Sequence, residues 1–129
     1  MITRTQLTDE QARYAMEHGE FPQEVREAAT NVAVVLTQGW CPQWTSMNVW
    51  LKFMQKRRRP KNLDITIFEY IYDKSDFFVE FMHFKEGHFG NAQVPYIRYY
   101  KDGSLTGESN YVTSRDFLTY FEEASVAEQ

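Results

Sequence analysis

Two apolar runs in this chain have the length of buried strands. Residues 32–37 read Val-Ala-Val-Val-Leu-Thr, and residues 63–72 hold a second run rich in isoleucine and tyrosine. Continuous runs of β-branched and apolar residues are typical of strands that are covered on both faces. We therefore predict two parallel central strands that are joined by a right-handed helical crossover.

Helical periodicity fills the segment between these two strands. We predict a helix from Pro42 to about Arg58, ended by Pro60. The apolar residues that recur there at i, i+3, i+4 and i+7 are Met47, Trp50, Leu51 and Met54. This stripe is expected to pack against the sheet.

The N-terminal segment, residues 1–31, is predicted to be helical. Thr8 and Gln11 have the spacing of a capping box, and Gly19 follows as a terminator. Pro22 is expected to begin a second, short helix that runs to about Ala29.

The second half of the chain predicts a helix, a hairpin and a last helix. Ser75 and Asp76 are expected to cap a helix through roughly residue 85. Residues 94–100 and 105–111 flank an Asp-Gly turn typical of a hairpin, and a Thr-x-x-Asp capping box at residue 113 opens the last helix. The fold class is therefore α/β: a three-layer sandwich with a central mixed sheet of about four strands, in one domain spanning residues 1–129.

Charge is unevenly distributed along the chain. Six of the 14 basic residues, and no acidic ones, lie between Lys52 and Lys61, which leaves 8 basic against 18 acidic residues elsewhere. Such a run can bind a polyanion, but cations also complement the end of a helix. Because the chain as a whole is acidic, we expect no nucleic-acid partner.

Several function classes are excluded by what the chain contains. A single cysteine cannot form an intramolecular disulfide, and no stretch approaches the roughly 20 apolar residues of a membrane span. One cysteine and three scattered histidines do not supply the four ligands of a zinc site. We expect a cytoplasmic protein with no membrane association, no metal and no cofactor.

Cys41 is the candidate reactive residue. It follows the first apolar run, and Pro42 and a helical pattern follow it directly. This position at a helix N-terminus, with its unpaired N–H groups and positive dipole, favours a thiolate, which is the nucleophilic form. Trp44 lies one helical turn on, where its indole could shield the sulfur, offer an apolar surface to a partner or fill core volume.

The segment at residues 40–44, Trp-Cys-Pro-Gln-Trp, resembles the active site of the thioredoxin superfamily, which usually reads Trp-Cys-x-x-Cys. A Val-Pro pair and a Lys-Asp-Gly turn follow in the order found in that family, and the likeness covers roughly residues 32–123. It implies a cis bond before Pro95, beside Cys41, which exposes the backbone of Val94 to an extended substrate segment. The implied binding residues are Trp40, Pro42, Trp44, Val94 and Pro95.

The departures from the family pattern bear on chemistry. Trp44 replaces the second, resolving cysteine, and Val35 stands where the family has a buried acid. Glu69 appears at the position of the active-site lysine, so its charge is expected to modulate the site by opposing a nearby thiolate.

Two functions are consistent with these residues. In the first, the chain is a monothiol thiol-disulfide oxidoreductase: Cys41 attacks a protein disulfide or sulfenic acid, and an external small thiol releases the mixed disulfide. In the second, it is a redox-inactive binding or adaptor module whose groove holds an extended segment of a protein partner.

Overall fold

The computed structural model describes residues 1–56 and 63–126, with side chains as far as residue 122. A five-stranded sheet lies at its centre, in the order β1-β3-β2-β4-β5. The strands are β1 (Ile2–Gln6), β2 (Asn31–Thr37), β3 (Ile65–Ile71), β4 (Tyr96–Lys101) and β5 (Ser104–Ser109). The helices are α1 (Asp9–His18), α2 (Gln23–Arg26), α3 (Pro42–Lys56), α4 (Phe78–Gly87) and α5 (Ser114–Val126).

Strand pairing gives the mixed sheet that the sequence predicts. Strand β3 pairs in parallel with both β1 and β2, whereas β4 is antiparallel to β2 and to β5. All seven residues of β2 are buried, as expected for the central strand of a covered sheet. The α/β three-layer prediction is confirmed, with five strands in place of about four.

The additional strand is β1, and it corrects the prediction that residues 1–31 are helical. Ile2 lies opposite Ile65 in the register of β1 and β3, and Gln6 lies opposite Glu69. The segment Ile-Thr-Arg-Thr-Gln has little apolar character. Its strand conformation depends on pairing with a segment some 60 residues away, and such tertiary context overrides local propensity.

Helix boundaries follow their caps where a cap is present. Thr8 and Gln11 form the predicted capping box at the start of α1, and Gly19 ends this helix in the left-handed conformation, with φ of 81°. Helix α2 ends at Arg26, three residues before the predicted end at Ala29.

The predicted cap at Ser75 and Asp76 is wrong. Helix α4 begins at Phe78, after a 3-10 turn (Tyr72–Lys74), and no side chain caps it. Phe77 is 9% exposed and Phe81 is fully buried. Burial of these rings therefore positions the start of α4 more strongly than a capping hydroxyl or carboxylate does.

Each face of the sheet carries its own hydrophobic cluster. The α3 cluster lies between the sheet and helices α3 and α5, and includes Ala33, Val35, Met47, Leu51, Ile67 and Phe117. The α4 cluster lies between the sheet and helices α1, α2 and α4, and includes Val32, Val34, Phe21, Phe81, Tyr96 and Tyr100. The side chain of Val94 packs against both clusters.

The predicted end of α3 at Arg58 and Pro60, and most of the basic run, lie outside the described residues. No helix in the described ranges is long and apolar enough to cross a membrane. Within the same ranges, no three His, Cys, Asp or Glu side chains are grouped to hold a metal ion.

Candidate functional site

A short turn between β2 and α3 presents Cys41. The residue directly precedes α3, and its carbonyl oxygen accepts the backbone N–H of Thr45 at 3.1 Å. Two contacts fix the turn: the Gly39 N–H donates to the Asp73 carboxylate at 3.0 Å, and the Gln38 amide donates to the Tyr72 hydroxyl at 3.1 Å. The 3-10 turn after β3 therefore holds the cysteine loop in place.

The sulfur of Cys41 faces a carbonyl group. The side chain is 3% exposed, and Sγ donates a hydrogen bond to the Val94 carbonyl oxygen at 3.6 Å. In the described part of the chain, no backbone N–H donates to the sulfur, in contrast to the expectation for a thiolate at a helix N-terminus. Because only the protonated form can donate this bond, the contact belongs to the thiol and not to the thiolate.

The Val94 carbonyl belongs to the loop that leads into β4. The Val94–Pro95 peptide bond is cis, as the family resemblance implied. The Asn110 side chain donates to the Pro95 carbonyl at 3.1 Å and to the Asn91 side chain at 2.9 Å. The loop is thus fixed to the end of β5 as well as to Cys41.

The predicted binding residues differ widely in exposure. Trp40 is 65% exposed, and Pro42 is also exposed. Val94 is half-buried and Pro95 is buried. Trp44 is only 6% exposed and belongs to the α3 cluster, so it fills core volume and presents little surface to a partner.

Trp40 is an exposed ring with a fixed polar end. Its indole Nε1–H donates to the Gln38 side-chain oxygen, and Gln38 is in turn bound to Tyr72. An exposed tryptophan that is already ordered loses little conformational entropy when a partner covers it.

Glu69 is buried at 4% exposure on the face of β3 that bears the α3 cluster, in register with Val35 of β2. Its carboxylate forms an ion pair with Arg4 through Nε and through Nη2, the latter at 3.0 Å. Arg4 also donates to the Asn48 side chain at 2.7 Å. The carboxylate is therefore balanced by the cation of Arg4, whose position in β1 has no local signal in the sequence.

Lys85 and Asn110 also shape the loop at residues 91–95, and neither was singled out from the sequence. Lysine on a helix is ordinarily a surface residue, and asparagine after a strand ordinarily belongs to a turn. Their partners are largely backbone carbonyl groups, which carry no signal in the sequence.

No protein-family model matches the chain, and no curated protein matches it in sequence. Solved structures do match. Thioredoxin O1 from Arabidopsis thaliana superposes with a TM-score of 0.61 at 16% identity, over 95% of this chain and 96% of that chain. Thioredoxin F from spinach chloroplast (short form) gives a TM-score of 0.59 at 16% identity, over 96% and 93% of the two chains. The chain therefore has the thioredoxin fold.

Proposed function

We propose that this chain is a protein-binding module of the thioredoxin fold in which Cys41 rests as a buried thiol. One observation carries the proposal: the cysteine is 3% exposed, and its Sγ–H is committed to the Val94 carbonyl. A nucleophilic thiol must be accessible to its target, and burial of the sulfur against the Val94 carbonyl withholds that access. The cytoplasm, where thiols stay reduced, is the proposed location.

The binding surface is centred on Trp40. This ring and Pro42 are exposed on either side of Cys41, whose sulfur contacts the Val94 loop. Large aromatic side chains held in one orientation are typical anchors for protein partners. We propose that an extended protein segment lies along Trp40, Pro42 and Val94.

The alternative is a monothiol oxidoreductase, and the proximity of Cys41 to the Val94 loop favours it. Cys41 and the Val94 loop meet at 3.6 Å, so a substrate segment lying on the loop would reach the sulfur. Loss of the Sγ proton would generate the thiolate; its attack on a substrate disulfide forms one S–S bond and breaks another. The leaving thiolate takes up a proton. An external small thiol then attacks the substrate sulfur of the mixed disulfide, forms a new S–S bond with it and releases Cys41 as a thiolate.

Labelling kinetics compare these functions directly. The purified protein is reacted with oxidised glutathione and with iodoacetamide at pH 7, in buffer and in denaturant, and adducts are counted by intact mass. The binding module predicts that native Cys41 reacts at least about tenfold more slowly than unfolded Cys41, because the sulfur is covered. A native thiol that reacts faster than the unfolded one, and yields a mixed disulfide released by excess thiol, would favour the oxidoreductase.

Partner capture with matched variants tests the surface. Trp40→Ala removes the exposed anchor, and Cys41→Ser removes the thiol. Phe53→Ala removes a ring of similar exposure (66%) at a distant position, within α3. The module predicts that quantitative capture from cells loses a set of proteins only in Trp40→Ala. Loss of captured proteins in Cys41→Ser alone would support the oxidoreductase. Equal loss in Phe53→Ala would mean that the surface at Trp40 is not the binding surface.

A further inference from the structure

Lys85 is a fully buried cation. It lies in the last turn of α4 with 0% exposure. Its ammonium group donates to the carbonyl oxygens of Asn91 and Gln93, both at 2.7 Å, and lies 5.5 Å from the centre of the Tyr96 ring. Each of these contacts is to the loop at residues 91–95 or to the strand that follows it.

No carboxylate forms an ion pair with Lys85 among the described residues. The other buried cation on this face, Arg98, has such a partner: Glu20 accepts from it at 2.8 Å. Burial without a counterion lowers the pKa of Lys85 to about 8, and the neighbouring Glu86 offsets this only in part. Burial of a cation without a counterion costs stability. The hydrogen bonds from Lys85 to the two loop carbonyl groups offset part of this cost.

The loop carbonyls are held in sequence. Lys85 holds those of residues 91 and 93, the Cys41 sulfur contacts that of Val94, and Asn110 holds that of Pro95. Lys85 supports the loop from α4, and Asn110 supports it from the end of β5. With both hydrogen-bonded, the Val94 carbonyl oxygen is directed toward the sulfur.

We propose that Lys85 is a positioning residue that fixes the loop at residues 91–95 and thereby keeps the Val94 carbonyl against Cys41. The inference rests on the proposed function, in which this loop borders the partner-binding surface. It explains why the thiol is covered: Lys85 holds the loop from the face of the sheet opposite to helix α3.

The test is Lys85→Met, which keeps the length and volume of the side chain and removes its donors. Amide hydrogen exchange at Gln93, whose N–H donates to the Asn91 side chain at 3.0 Å, and iodoacetamide labelling of Cys41 are expected to accelerate by at least about tenfold, because two loop carbonyl groups lose their donors. Lys101→Met, at the other end of β4, is the matched control and leaves both rates unchanged.

The variant Val25→Ala distinguishes opening of the loop from a general loss of stability. Val25 is fully buried in α2 and does not belong to the loop. Exchange and labelling are compared with Lys85→Met after denaturant unfolding has given the global stability of each variant. Loop opening in Lys85→Met beyond that of an equally destabilised Val25→Ala supports positioning, and equal opening overturns it.

A second variant covers the case in which Lys85→Met does not fold. Lys85→Gln retains a neutral donor that can reach one carbonyl group, so it is expected to show an intermediate acceleration. Wild-type rates in Lys85→Gln would overturn the proposal. If loop opening is observed but Trp40→Ala binds partners normally, the binding function fails and the role of Lys85 stands.

Discussion

The guanidinium of Arg4 and the carboxylate of Glu69 form a buried ion pair that joins the edge strand β1 to β3. Their side chains are 13% and 6% exposed, and Asn48 of α3 accepts a further hydrogen bond from Arg4. The pair lies on the same side of the sheet as Cys41 and Trp44. The family resemblance implied a single acidic charge at Glu69, and in the structure Arg4 pairs with that charge.

Arg4→Met is expected to lower the free energy of unfolding by about 3 kcal/mol, because it leaves a buried carboxylate without a partner. Guanidinium unfolding followed by tryptophan fluorescence measures the loss. The double variant Arg4→Met with Glu69→Met is expected to recover most of it, since both buried charges are then absent. Additive losses in the double variant would show that the two side chains are not coupled.

Trp44→Ala is expected to destabilise the fold by about 3–5 kcal/mol, because it opens a cavity in the α3 cluster. It is also expected to accelerate iodoacetamide labelling of Cys41, since the indole occupies the turn of α3 next to the sulfur. Trp44→Phe, which keeps much of the volume, should show smaller changes in both. Unchanged labelling in a folded Trp44→Ala variant would mean that Trp44 does not cover Cys41.

Trp40 should dominate the quenching of the protein's fluorescence by acrylamide. It is 65% exposed, whereas Trp44 is 6% exposed and Trp50 is half-buried. Trp40→Phe is therefore expected to remove most of the quenchable emission. Gln38→Ala, which removes the hydrogen-bond acceptor of the indole, should increase the mobility of the ring in time-resolved anisotropy.

The stability of the protein is expected to change in two opposite directions at alkaline pH. The pKa of Lys85 is lowered to about 8 by burial, so between about pH 8 and 10.5 the unfolded chain binds more protons and stability rises with pH. Burial raises the pKa of Tyr99 and Tyr100 above 10, so at higher pH the folded chain keeps protons that the unfolded chain loses, and stability falls. Denaturant unfolding across pH 7–11 should therefore show a maximum.

Lys85→Met tests whether Lys85 causes the rise of stability with pH. The rise attributable to Lys85 is at most about 3 kcal/mol, and it should be absent from the variant. The decline above pH 10 should remain, because the buried tyrosines are unchanged. If the stability of Lys85→Met rises with pH as much as that of the wild-type protein, another titrating group causes the rise.

Sequence patterns predicted those elements whose signals are local. The apolar run of β2 and the capping box at Thr8 depend on residues that are adjacent or one turn apart. The cysteine and the Val-Pro pair were likewise placed by their order relative to these elements. Their contact at 3.6 Å follows from the fold.

The remaining features depend on partners that are distant in the sequence. β1 was missed because its inward-facing Arg4 interrupts the apolar alternation that marks a strand, and its partner Glu69 lies 65 residues away. Burial of Lys85 was missed because backbone carbonyl groups accept its hydrogen bonds. The start of α4 depends on where Phe77 and Phe81 reach the core, which a capping pattern does not encode.

Val94 is the one residue of the loop whose side chain meets the hydrophobic clusters on both faces of the sheet. A substitution here therefore changes the packing against both clusters at once. A larger residue would press on both clusters, whereas a smaller one would lose contacts with both. The packing of both clusters thus acts on the residue whose carbonyl group contacts Cys41.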